Sequence, residues 1–300
     1  MIGDKQNGSI AGGVYAALLT PRLAAGGVDA EALKRLVGFL LSKGIHSFVV
    51  NGATGEFCLT DADELRTILR TVKSASGSRG EILCGVGTAG SAGAIELAAI
   101  AEDGGAAGLL LPMPYFFRYQ QQDLDAFSRT VASSTKLPVL LYNLPQFSSG
   151  LSAETVRGLI RDVPNIVGIK DSSGSLEILR GLNSGTCRIV GSDAVLAQAL
   201  EEGICDGVVS GVACALPELV AELYGSAVGS AEFCRGAHLL KEFLLRLEEF
   251  PTPWGLKWAV EARGVAQASF SQPLSDRRRE QGRGFTAWFR EWLAETAMGG

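Results

Sequence analysis

The sequence predicts a (β/α)8 barrel followed by a C-terminal helical extension, and three observations carry that reading. Eight short apolar runs recur along the chain, helical periodicity fills the gaps between them, and only helical patterning remains after the eighth run. The runs are 14–19, 47–51, 81–86, 108–111, 138–142, 166–170, 187–191 and 207–210. Apolar runs with few polar interruptions suit strands buried on both faces of a parallel sheet.

Between the runs lie helical stretches such as 30–43, 62–74, 92–103 and 123–134. Strict alternation of strand and helix argues for βαβ units, and eight of them over roughly 210 residues match a closed barrel. Periodicity leaves an open doubly wound sheet as the alternative. Beyond Ser210, residues Phe285, Trp288, Phe289, Trp292 and Leu293 mark one helical face, and Trp254 and Trp258 lie four apart on another helix. These aromatics read as packing. The expected organisation is a barrel over 1–221 and a helical domain over 222–300.

Composition narrows the partners. Of the 300 residues, 47% are hydrophobic, enough for one large core, and the formal net charge of −5 attracts no polyanion. The basic run 277–279 is short and followed by Glu280, so it reads as a solvated helix face rather than a phosphate-binding patch, and no nucleic-acid partner is expected. Residues 1–8 are polar and read as a disordered lead-in without a secretory pattern. The most apolar stretch, 104–117, is broken by Pro112 and Pro114 and is too short to span a bilayer. A soluble, cytoplasmic protein without a membrane partner is expected. The six cysteines are scattered without a C-x-x-C pair, which reads as reduced and mostly buried. The two histidines, His46 and His238, do not readily make a His-rich metal site.

One motif points elsewhere. Gly85-Val86-Gly87-Thr88-Ala89-Gly90 fits G-x-G-x-x-G between a strand and a helix, the local setting of a dinucleotide site. It lies in the third unit rather than the first, and no acidic residue ends the next strand, Leu109-Leu110-Leu111-Pro112. Glycines that permit close packing at the barrel mouth explain the spacing, and no cofactor is expected.

Active sites of such barrels lie at the carboxyl ends of the strands. Lys170 closes the apolar run Ile166-Val167-Gly168-Ile169. A buried lysine must find a counter-ion or shed its charge, and a neutral amine attacks a ketone to give an imine, an electron sink for carbon–carbon cleavage, formation or dehydration. Position alone leaves a structural lysine, paired with Asp171 or reaching solvent, equally open. Tyr142 closes the neighbouring strand, about 4.8 Å away, where its hydroxyl can relay protons. Gly168, two residues before Lys170, leaves space beside it. The loop Gly52-Ala53-Thr54-Gly55-Glu56 adds small residues and the Thr54 hydroxyl, which can hold a carboxylate beside the lysine.

This ordered set, with Tyr142-Asn143-Leu144-Pro145 and Gly168-Ile169-Lys170-Asp171-Ser172-Ser173-Gly174, resembles the dihydrodipicolinate synthase / N-acetylneuraminate lyase family from Gly13 to the C-terminal helices. The resemblance implies a (β/α)8 barrel with a C-terminal helical domain, assembled as a homotetramer or homodimer. It implies Lys170 as Schiff-base lysine, Tyr142 as proton shuttle and Thr54 as a ligand of the pyruvate carboxylate. Gly52 and Ala53 share the Thr54 loop, and Gly191 and Val209 match positions whose backbones line the pocket.

The departures bear on the second substrate. In dihydrodipicolinate synthase the residue matching Ala53 is a threonine of a tyrosine–threonine–tyrosine relay. The relay's second tyrosine, contributed across a dimer interface, matches Phe116. The arginine that anchors the aldehyde's carboxylate has no counterpart, and Gln146-Phe147-Ser148-Ser149 stands there, with Phe147 facing the second substrate. These departures favour an aldolase acting on a 2-oxo-3-deoxy acid, releasing pyruvate and an aldehyde through a lysine imine. The alternatives are 4-hydroxy-tetrahydrodipicolinate synthase or a related Schiff-base dehydratase, a catalytically idle 2-oxo-acid-binding protein, and a nicotinamide enzyme using the 85–90 loop.

Overall fold

The computed structural model describes residues 10–296, so the reading of residues 1–8 lies outside the described residues. β1 (Gly13–Ala17) leads to α1 (Ala30–Ser42), β2 (Ser47–Val50) to α2 (Ala62–Ser76), β3 (Glu81–Gly85) to α3 (Ser91–Asp103) and β4 (Gly108–Pro112) to α4 (Gln121–Ala132). β5 (Val139–Asn143) and α5 (Ala153–Asp162) follow. β6 (Ile166–Asp171), β7 (Cys187–Val190) and β8 (Gly207–Ser210) alternate with the shorter α6 (Glu177–Arg180), α7 (Leu196–Glu201) and α8 (Pro217–Gly225). The strands are parallel and close in sequence order, β1 pairing with β8. The barrel is closed, which removes the open sheet.

Local chemistry starts the helices where the sequence places them. Asp29, Asp61 and Ser152 each accept a hydrogen bond from a backbone N–H in the first turn of α1, α2 and α5, satisfying donors that have no partner within the helix. Leu33, Leu36, Val37 and Leu40 then recur on one face of α1 and are buried against the barrel. Inward-facing residues fill the barrel itself, among them Tyr15, Val49, Leu83, Leu110, Leu140, Ile189 and Val209. The lumen is packed below and opens only at the carboxyl ends of the strands.

Three glycines are set by backbone approach. A Cβ on Gly168 would fall 2.0 Å from the Cys187 carbonyl oxygen, so this glycine admits the β7 backbone rather than making room for Lys170. A Cβ on Gly85 would fall 2.0 Å from the Asn51 carbonyl oxygen, and one on Gly87 would fall 2.6 Å from the Phe57 ring. The G-x-G of the 85–90 motif is therefore occupied by protein packing.

α9 (Ala231–Leu247), α10 (Trp254–Ala262) and α11 (Asp276–Glu295) form the extension. Phe289 and Trp292 of α11 pack on Phe243 of α9 with ring centroids 5.5 Å and 5.9 Å apart, and Trp258 of α10 meets Phe250 at 4.9 Å. The division drawn at 221/222 falls inside α8. None of the six cysteines is paired; Cys84 and Cys214 are buried, but Cys58 and Cys234 are exposed, so burial is less complete than expected. Among the described residues no helix is long and apolar enough to cross a membrane, and no cluster of three His, Cys, Asp or Glu side chains could hold a metal ion.

Candidate active site

β5 and β6 pair so that Tyr142 lies directly beside Lys170, and each strand continues one residue further, to Asn143 and Asp171. The two residues are thus penultimate rather than last in their strands. Lys170 is 3% exposed and Tyr142 2%. The Lys170 Nζ stands 3.9 Å from the centroid of the Tyr142 ring. Among the described residues no carboxylate pairs with this amine. Asp171 is not its counter-ion: its Oδ1 accepts from the Asn143 Nδ2 at 3.0 Å and from the Ser173 N–H at 2.9 Å, and its Oδ2 has no partner among the described residues. Those bonds tie β5 to the loop after β6 and hold the lysine's strand end in place.

Gly191, just past β7, makes room for the lysine stem. A Cβ there would fall 2.7 Å from the Lys170 Cε and 2.2 Å from the Ser172 Oγ. Opposite, Thr54 is buried in the turn after β2, with its Oγ1 beside Gly211. The turn closes through the Glu56 N–H on the Ala53 carbonyl and the Phe57 N–H on the Gly52 carbonyl. It leaves Ala53 and Thr54 facing a cleft.

That cleft holds about 670 Å³, within the range of small-ligand sites, and brings together Lys170, Tyr142, Thr54, Ala53, Phe147, Gly191 and Val209. Gly52 is buried and does not line it. Phe116 does not line it either: it is 84% exposed, with its backbone at φ +82°, and its ring stacks edge-on against Phe117. Tyr115 turns instead to the Phe57 ring, with centroids 5.7 Å apart. The hydroxyl relay is thus absent from this chain's own cleft at both positions.

The outer wall was not foreseen. Leu244 and Leu247 of α9, with Glu248, Phe250 and Thr252 beyond it, border the cleft, so the extension is part of the site as well as a packing appendage. Asp193, after β7, also lines it. Its Oδ2 accepts from the Val212 N–H at 3.3 Å, while its Oδ1 is buried without a partner. Burial pushes the Asp193 carboxyl up, opposed by hydrogen bonds from Ser210 and Val212 and by the nearby Lys170 charge. A polar residue at a strand end was the available signal for Asp193; nothing in the pattern of α9 marked its last turn. Among the described residues the cleft's charged lining is Lys170, Asp193 and Glu248, with no arginine. The Gln146 Nε2, in the segment where an arginine would stand, donates to the Ser172 carbonyl at 2.9 Å.

The family model of the dihydrodipicolinate synthetase family matches residues 10–289. This chain belongs to the dihydrodipicolinate synthase family. It is 32% identical over 272 residues to the 4-hydroxy-tetrahydrodipicolinate synthase of Saccharophagus degradans, covering 88% of this chain and 92% of that one. It is similar in structure to the 4-hydroxy-tetrahydrodipicolinate synthase of the methanotroph Methylacidiphilum fumariolicum SolV, with a TM-score of 0.85 and 28% identity, covering 96% and 99% of the two chains. A third relative is the chloride-inhibited dihydrodipicolinate synthase of Acinetobacter baumannii, solved with pyruvate, with a TM-score of 0.83, 28% identity and coverage of 97% and 100%. Dihydrodipicolinate synthases are class I pyruvate-dependent aldolases, and this family member is an enzyme of that type, a lyase.

Proposed function

We propose that this enzyme cleaves a 2-oxo-3-deoxy acid reversibly to pyruvate and an aldehyde through an imine on Lys170. The carrying observation is a buried lysine beside a tyrosine, with no carboxylate partner among the described residues, in a cleft whose lining among those residues holds Asp193 and Glu248 and no arginine.

The neutral Lys170 amine attacks the C2 carbonyl, and the carbinolamine loses water to give the imine. With the imine protonated, the C3–C4 bond breaks and its electron pair moves into the imine as an enamine. The C4 hydroxyl gives up its proton and becomes the aldehyde. C3 is then protonated, and water hydrolyses the imine to release pyruvate and the free lysine. Tyr142, one residue across the sheet, carries the protons. Thr54, with the small Ala53 beside it, holds the pyruvate carboxylate. The aliphatic Val209 and the backbone at Gly191 bound the same half of the cleft. The covalent imine supplies the electron sink, so the chemistry calls for no separate cofactor.

Asp193 supports a hydroxylated second half of the substrate. A buried carboxylate oxygen without a donor costs free energy until a ligand supplies one, and a polyol does so where an anion is repelled. Phe147 gives that half an apolar edge. A second reading, favoured by the names of the relatives, is condensation of pyruvate with a carboxylate-bearing aldehyde; the charged lining of the cleft counts against it. An idle binder would form the imine without turnover. Phe116 and Phe117, 84% and 62% exposed beside the mouth, support a homodimer or homotetramer in which this patch is covered. We place the enzyme in the cytoplasm.

Pyruvate release from a panel of 2-oxo-3-deoxy sugar acids tests the assignment. The expected result is cleavage of at least one panel member, with no condensation of pyruvate onto a carboxylate-bearing aldehyde. Efficient condensation without any cleavage would overturn it.

A further inference from the structure

Glu56 closes the loop that carries Thr54 and adopts φ +57°, a backbone conformation that side-chain-bearing residues keep only when their surroundings hold them there. The holding group comes from the extension. Lys257, on α10, donates from its Nζ to the Glu56 Oε2 at 2.5 Å and to the Ser269 carbonyl at 2.7 Å. The two residues are 201 positions apart in sequence, and both are buried, at 8% and 4% exposure.

A second anchor grips the far end of the same loop. The Arg22 guanidinium, in the loop after β1, donates to the Leu59 carbonyl at 3.0 Å and to the Glu64 carboxylate at 2.6 Å. Its backbone N–H donates to the Ser269 Oγ at 3.0 Å. Ser269, in the linker between α10 and α11, thus joins both anchors. Leu256, the neighbour of Lys257, lies with the Thr54 Oγ1 around the open side of Gly211.

An apolar pair of equal volume would attach the extension at least as well, because burying two charges costs desolvation that their attraction only partly repays. What such a pair lacks is direction. Two oriented bonds on one ammonium fix where the Glu56 carboxylate sits, and with it the turn two residues earlier.

We propose that Lys257 is a positioning residue for substrate binding: its bond to Glu56 holds the 52–56 turn so that Ala53 and Thr54 face the Lys170 amine. This rests on the reading that the Thr54 loop takes the 2-oxo-acid carboxylate beside an imine-forming Lys170. The extension therefore controls affinity for the 2-oxo acid without touching it.

The test uses the full chain and borohydride trapping of pyruvate across a concentration series, beside steady-state kinetics and circular dichroism. Lys257→Met is expected to raise the half-saturating pyruvate concentration by about 10-fold or more, while the rate at saturation stays within about threefold. Lys257→Arg is expected to restore most of the affinity. Should Lys257→Met fail to fold, Glu56→Gln keeps the size and removes the charge, and is expected to show the same split at smaller amplitude. A folded variant with unchanged half-saturation overturns the clamp. So does a loss of rate that merely tracks the folded fraction. No adduct in the unsubstituted enzyme would instead overturn the imine reading, and the clamp with it.

Discussion

Lys170 sits where an apolar residue would be cheaper. Among the described residues its buried amine has no carboxylate partner, and it lies over the Tyr142 ring at 3.9 Å. The ring face attracts a cationic nitrogen by about 0.5–2 kcal/mol, and in the proposed mechanism the tyrosine hydroxyl serves proton transfer. Tyr142→Phe separates the two functions, since it keeps the ring and removes the hydroxyl. Turnover is expected to fall by about 10²–10⁴-fold with pyruvate binding largely kept; steady-state rates within twofold of the parent enzyme would deny Tyr142 the shuttle. Their adjacency was legible because they close neighbouring apolar strands, and β5 and β6 do pair Tyr142 with Lys170; position alone left a structural lysine equally open. Asp193 was less legible: an aspartate after a strand is common in turns, and what marks it out is an unpartnered buried oxygen at a residue that lines the cleft.

At the scale of elements, the strand pattern was readable because each run is buried on both faces, and the observed boundaries shift by only one or two residues. One glycine was misread in its reason and one was read correctly. Gly168 accommodates the neighbouring backbone rather than the lysine, whereas Gly85 packs closely at the barrel mouth as expected, against the Asn51 carbonyl. Such approaches depend on which strands pair and in what register, which local periodicity does not encode. Gly168→Ala is expected to force β6 and β7 apart and destabilise the fold by about 2–4 kcal/mol, lowering the unfolding temperature by roughly 5–10 °C. Gly158→Ala is the control. It lies in α5, where an added Cβ meets nothing within 4 Å, and it is expected to be neutral or stabilising by up to ~1 kcal/mol. Equal unfolding temperatures for the two variants would contradict the close-approach account.

For the whole molecule, barrel and extension build the cleft together. The strand ends supply the lysine, tyrosine and threonine, and the end of α9 with the residues after it supplies the outer wall. The aromatic periodicity of α11 announced packing, and the structure supplies the partner, Phe243 of α9; it said nothing of where α9 ends. Its position over the barrel mouth emerges only when the barrel closes and the helices dock. The bulk properties were informative at this scale only by narrowing: two histidines made a His-rich metal site hard to assemble, and the lysine reading came from the strand ends.

The central claim is the imine on Lys170, and borohydride reduction in the presence of pyruvate, followed by peptide mass mapping, tests it most directly. The expected result is a stable reduced pyruvate adduct on the peptide containing Lys170, absent from Lys170→Ala. Folded protein that yields no adduct with pyruvate or with longer 2-oxo acids, or an adduct that persists in Lys170→Ala, would contradict the account.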